Sequence, residues 1–171
     1  MMFPRLWRTT RGTAAAEMAL VMPLLLILMM GSVEIGNYFY NEHILVKAVR
    51  DGARYAARQN FSYYQDSGGA CSSPTDTTMI GNVKTLVRSG LLSGGTDRLA
   101  RWNSATFTMS ALCYPTSNSQ NMLGIYRGAA NGAPVVTVSV IIPYQPVLSS
   151  FGFSGIGLNL NATQQAAVMG I

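Results

Sequence analysis

The stretch "RGTAAAEMALVMPLLLILMMGSVEIG", residues 11–36, decides how the chain is read, because it sets one carboxylate, Glu17, at the mouth of an otherwise apolar run. Met18 to Val33 holds no ionisable side chain, and Ala14 to Val33 is 20 residues. As a helix that run is about 30 Å long, the hydrocarbon thickness of a bilayer. A carboxylate within such a segment costs on the order of a few kcal/mol, so it marks a function or a specific partner.

The flanks orient the segment. Arg5, Arg8 and Arg11 precede it and Glu34 follows it, so the positive-inside rule puts the N-terminus in the cytoplasm and residues beyond about 36 outside. A secretory signal would place small residues after its apolar run; here Gly12-Thr13-Ala14-Ala15-Ala16 stand before it. Two readings are open at this point: an uncleaved signal anchor in which Gly12 is incidental, or a leader cut ahead of a helix that is kept.

Composition bounds the rest. The 171 residues are 49% hydrophobic and 11% charged, with a net charge of +5, which suits one modest domain. From Thr13 onward nine basic residues face seven acidic ones, so the excess is largely N-terminal. With no basic stripe and interleaved aromatics downstream, nucleic acid is not an expected partner.

The helix is expected to continue past the membrane. Ile35, Phe39, Val46, Val49, Ala53 and Ala57 recur at helical spacing, while Glu42, Lys47, Arg50, Asp51, Arg54 and Arg58 take other positions. One rod of about 45 residues, near 70 Å, follows, its outer half needing a domain over the apolar stripe. Pro23 removes a backbone hydrogen bond from the membrane half, and Gly31, Gly36 and Gly52 permit close approach of other helices.

After Gln59, "FSYYQDSGGACSSPTDTT" reads as an irregular connection. Met79, Ile80, Val83, Leu86 and Val87 make a second helical face stopped at Gly90. Three strands are expected from alternation: Ala105, Phe107, Met109, Ala111 and Cys113; Val136, Val138, Val140 and Ile142; and Leu158, Leu160, Ala162, Gln164, Ala166 and Val168. Residues 115–133 form a long Asn/Ser/Gly loop between the first two. The fold class is therefore α+β: a long N-terminal transmembrane and amphipathic helix packed on a small antiparallel sheet, with one further short helix.

Cys71 and Cys113, on the outward side, are expected to form one disulfide; a two-cysteine metal site lacks CxxC spacing and a nearby histidine. No catalytic set emerges. His43, the single histidine, lies among Asn41, Glu42 and Lys47 on the helix, and Asp66, Asp76 and Asp97 are scattered among loops. "GFSGIG", residues 152–157, misplaces the second glycine of a nucleophile elbow. No cofactor, metal or enzymatic activity is expected.

One spacing remains: Gly12, with Glu17 the fifth residue after it, ahead of a retained apolar helix. It resembles type IV prepilins, and more closely the TadE-like family of the tight-adherence (Tad) pilus. The chain reads "RGTAAAEMALVMPLLLILMMGSVEIGNYFYNEHILVKAVRDGARYAAR" over residues 11–58, with Gly12, Glu17, Pro23, Glu34, Gly36 and the run Asp51 to Ala57 in the family's register. Thr13 stands where classical type IV pilins carry phenylalanine.

The resemblance implies a leader over 1–12, cut by a prepilin peptidase between Gly12 and Thr13, a transmembrane segment over 13–34, and a periplasmic or extracellular pilin-like domain over 35–171. It implies subunit-assembly roles for Glu17, Pro23 and Glu34. Glu17 would neutralise the new amine of Thr13 at a helix N-terminus, in its own or a neighbouring subunit; the alternative is that it snorkels to Arg11. The implied product is a minor pilin or pseudopilin of the bacterial inner membrane, acting in pilus initiation or at the fibre tip in adhesion. Its implied partners are the peptidase, the Tad inner-membrane platform, the major Flp-type pilin and other TadE-, TadF- and TadG-like minor pilins.

Overall fold

Helix α1, Thr10–Ala57, runs unbroken for 48 residues with Pro23 inside it, a rod of about 72 Å. The computed structural model describes residues 10–69, 71–114, 124–126, 132–151 and 157–170. Expectations for the start of the leader, for most of the 115–133 loop and for residues 152–156 lie outside the described residues.

Burial divides α1 in two. Every residue from Gly12 to Met29 is exposed, whereas Leu45, Ala48, Val49, Ala53 and Ala56 are buried to within 2%. The bare half is the apolar run, and it is the one helix among the described residues long and apolar enough to cross a membrane. The covered half is packed by a later helix and by strands of the domain.

Helix α2, Thr77–Ser89, starts where Asp76 accepts the Met79 amide at 2.7 Å and stops at Gly90, whose φ of 82° lets its N–H reach the Leu86 carbonyl. Its buried residues are Met79, Val83 and Val87, as the periodicity anticipates. It packs against α1 at Gly52, where an added Cβ would collide with Cγ2 of Val87. Gly52 is thus a close-approach glycine within the chain, whereas the open flanks of Gly31 and Gly36 meet nothing within 4 Å.

Strands β1 (Thr106–Tyr114), β2 (Ala133–Pro143) and β3 (Asn159–Ala167) form an antiparallel sheet in the order β1-β2-β3. The three alternating rows meet in register: Phe107 with Val140 and Ala162, Met109 with Val138 and Gln164, Ala111 with Val136 and Ala166. These rows face inward, with β2 and β3 lying over α1, because period-2 alternation with one apolar face must bury that face. Two expectations are corrected. Leu158 is 52% exposed, since β3 begins one residue later. Ile35 and Phe39 stay exposed, and the covered stripe of α1 begins in earnest at Leu45; regular spacing identifies a face but not how far along it the domain reaches.

The connection after α1 is more ordered than its composition suggests. Phe61–Tyr64 is a short 3-10 turn whose buried Tyr64 donates its hydroxyl to the Ala56 carbonyl at 2.7 Å. The Met169 amide donates to the Ala57 carbonyl at 2.8 Å, so residues from both ends of the domain satisfy carbonyls in the last turn of the helix. Cys71 and Cys113 are disulfide-bonded, with Cα atoms 5.9 Å apart, and Ser73 Oγ both accepts from the Ala111 amide and donates to its carbonyl at 3.1 Å. Together they close the exposed edge of β1 near its end.

Candidate functional site: the helix and its junction with the domain

Gly12 and Thr13 lie in the first turns of α1, both exposed, and Glu17 lies exposed one turn on. Pro23 sits mid-helix in the bare half without ending it. These residues share one exposed length of helix.

Glu34 is different: its own domain reaches it. The Glu34 Oε1 accepts the Tyr144 hydroxyl at 2.6 Å and the Val147 amide at 3.3 Å, and Oε2 accepts the Leu148 amide at 3.1 Å. The two amides open the 3-10 turn Val147–Phe151, and their protons need an acceptor there. The Asn37 side-chain amide, one turn along, donates to the Tyr144 oxygen at 2.7 Å. Tyr38 packs edge-on against Tyr144 with ring centroids 5.2 Å apart and donates to the Asn159 carbonyl at 3.4 Å.

Residues 34, 37 and 38 of α1 therefore clasp the end of β2 and the start of β3. Burial first, then the bond to Glu34, raises the Tyr144 pKa above the usual tyrosine value, while the Asn37 donor opposes the shift. The phenol stays protonated and remains a donor at neutral pH.

Of the residues singled out from sequence, the structure joins Glu34 to a polar cluster and bonds Cys71 to Cys113. It does not bring Glu17 or Pro23 to that cluster. Tyr144, Asn37 and Tyr38 were missed. A lone tyrosine after a strand carries no local signal of a partner 110 residues away.

The face of α1 away from the domain presents His43, Lys47, Arg50 and Arg54, all exposed and spaced four, three and four residues apart. Asp51, on the flank, reaches Arg98 at 3.7 Å. The loop aspartates are structural: Asp76 caps α2, Asp97 pairs with Arg88, and Asp66 accepts the Gly68 amide at 2.9 Å. Among the described residues no three His, Cys, Asp or Glu side chains gather as a metal site.

Residues 12–54 match the family model described as TadE-like protein. Comparison with curated proteins gives no match, and comparison with solved structures gives none either. The match begins at Gly12 and ends at Arg54, covering the bare half of α1, Glu34 and the basic ridge, while most of the clasping domain lies beyond it. Over residues 12–54 of its long N-terminal helix the chain is similar to the TadE-like protein family.

Proposed function

We propose that the protein is a minor pilin, or pseudopilin, of a Tad-type type IV pilus. A prepilin peptidase cuts between Gly12 and Thr13, the bare half of α1 resides in the bacterial inner membrane with the domain on the periplasmic side, and the Tad platform draws the helix into a bundle. There the domain serves in pilus initiation or at the fibre tip, including adhesion. Its neighbours are the major Flp-type pilin and other TadE-, TadF- and TadG-like minor pilins.

The observation that carries this reading is the division of α1 into a bare half and a covered half within one TadE-like helix. A helix bare over its apolar half suits lipid first and a bundle of like helices later, since both offer an apolar surround. Glu17 is the one charge in that half after Thr13, and in a bundle its cost selects an axial register that supplies a cationic partner. Pro23 then sits on packed surface, and Glu34 fixes how the domain stands on the helix.

The competing reading is an anchor that is never cut. One observation favours it: the backbone is already helical at Thr10, so the Gly12–Thr13 bond lies inside α1 and a peptidase would have to unwind that end. The mass of the chain recovered from membranes separates the two. Loss of residues 1–12 together with co-isolation with pilus subunits supports the pilin. A full-length chain in pilus-bearing cells refutes processing.

A further inference from the structure

We infer that the membrane-facing end of the domain, where β2 leaves and β3 returns, docks onto the outer-leaflet interface of the bilayer that α1 crosses, an inference that rests on the membrane-spanning reading of α1. The clasp at Glu34 fixes this end of the domain at the point where the apolar run stops. Around it Ile35 is 59% exposed, Phe39 54%, Tyr40 65%, Val147 46% and Leu158 52%. An apolar groove lined by Glu34, Ile35, Tyr38, Phe39, Tyr144 and Leu158 opens among them. Large apolar side chains grouped in this way mark a surface that water does not cover in use.

The occupant follows from position. Ile35 to Tyr40 stand about 3 to 11 Å beyond Val33 along the helix, and the interfacial layer of a bilayer is about 5–8 Å deep on each side of the hydrocarbon. A helix that spans holds these side chains in that layer whatever else binds. The exposed Tyr40 and the half-buried Tyr38 suit it, since amphipathic rings concentrate at headgroup depth. Glu34 can lie there because its carboxylate is satisfied by the Tyr144 hydroxyl and two amides. Residues 128–171, which include β2, β3 and the connection between them, contain no charged side chain, so they add no charge to desolvate beyond that of Glu34.

The full chain in phosphatidylcholine vesicles tests the inference. Both native cysteines are bonded, so a single added cysteine can carry a nitroxide. Labels at Val147→Cys and Leu158→Cys are expected to show an oxygen-to-nickel-chelate collision ratio several-fold above that at Gln165→Cys, which lies about 20 Å up β3, and below that at Leu25→Cys in the apolar run. Adding Leu158→Asp should move the Val147 label to the aqueous value while the disulfide and helicity persist.

Aqueous values at 147 and 158 with Leu25 deep would overturn the docking and leave the span standing. An aqueous Leu25 would overturn both. Shielding of 147 and 158 from oxygen and nickel alike, with dipolar broadening between labels, would replace lipid by a second copy of the chain.

Discussion

The Glu34 carboxylate accepts the Tyr144 hydroxyl at 2.6 Å across 110 residues of sequence, and this bond ties the end of β2 to α1. Hydrogen bonds to charged groups contribute about 1.5–3 kcal/mol. Tyr144→Phe keeps the ring contact with Tyr38 but removes the donor, so it should lower stability within that range. It should also speed hydrogen exchange at the Val147 and Leu148 amides, which share the carboxylate, while amides near Val138 stay protected. Uniform acceleration through the sheet would show that the clasp is not a local device.

Alkaline pH should act through Tyr64 and Tyr144. Burial raises the pKa of both, and the bond to Glu34 adds to the shift at Tyr144. A group with a raised folded pKa contributes stability that is full below its unfolded value, about 10 for tyrosine, and is lost as pH rises through the folded value. Urea midpoints should therefore fall above pH 10. Tyr64→Phe should flatten that fall, with a loss of about 1 kcal/mol at neutral pH for the bond to the Ala56 carbonyl. A mutant with the slope of the wild type would remove Tyr64 from the account.

Reduction should loosen one edge of the domain. The 71–113 disulfide closes a loop with a sequence separation of 42, for which the chain-entropy account gives about 4 kcal/mol. Cys71→Ser with Cys113→Ser should lower the denaturation midpoint accordingly and release the β1 edge near Ala111, with the helicity of α1 unchanged. Equal stability of the double mutant and the wild type would contradict this.

What was legible in the sequence was whatever repeats locally. The apolar run, the face of α2 and the three strand alternations each carry their signal within one continuous segment; the run appears as a helix exposed from Gly12 to Met29, and the α2 face and the strand rows turn inward, Leu158 excepted. The Glu34 clasp was not legible, because it is assembled from residues 34–38 and 144–159 and no single segment displays it. The reach of the domain along α1 was also hidden: Ile35 and Leu45 look alike as members of an apolar stripe, yet one is 59% exposed and the other 0%. The basic ridge from His43 to Arg54 emerges only when the helix is wound and its other side is covered.

Gly52 carries a steric prediction. Its missing side chain admits Val87 of α2 against the α1 backbone, and the fit leaves no room for a branched residue. Gly52→Val should cost about 1–3 kcal/mol through overpacking, despite a gain in burial. Gly36→Val, whose flank is open, should leave the urea midpoint unchanged within about 0.5 kcal/mol. Equal effects at the two sites would mean that helix propensity, not contact with α2, governs these glycines.

The final prediction concerns Glu17, exposed in the bare half of α1 and outside the clasp. Glu17→Ala should leave membrane insertion intact, since it removes a charge from the edge of the apolar run and raises its hydrophobicity. The proposed cleavage after Gly12 should also persist, because the small residue at the cut is unchanged. Assembly should fail instead. Under the proposed cleavage the new amine of Thr13 would lie at the positive end of a helix dipole, and within a packed bundle an unpartnered charge costs about 3–5 kcal/mol, more than a single helix–helix hydrogen bond returns. Glu17→Gln separates charge from shape: it keeps the length and a hydrogen-bonding group but cannot neutralise the amine, so it should assemble no better than the alanine variant. If Glu17 served only to pair with Arg11, both variants would behave as wild type once Arg11 had left with the leader. Co-purification of each processed variant with pilus subunits decides the matter, and wild-type recovery of both would end the charge-register account.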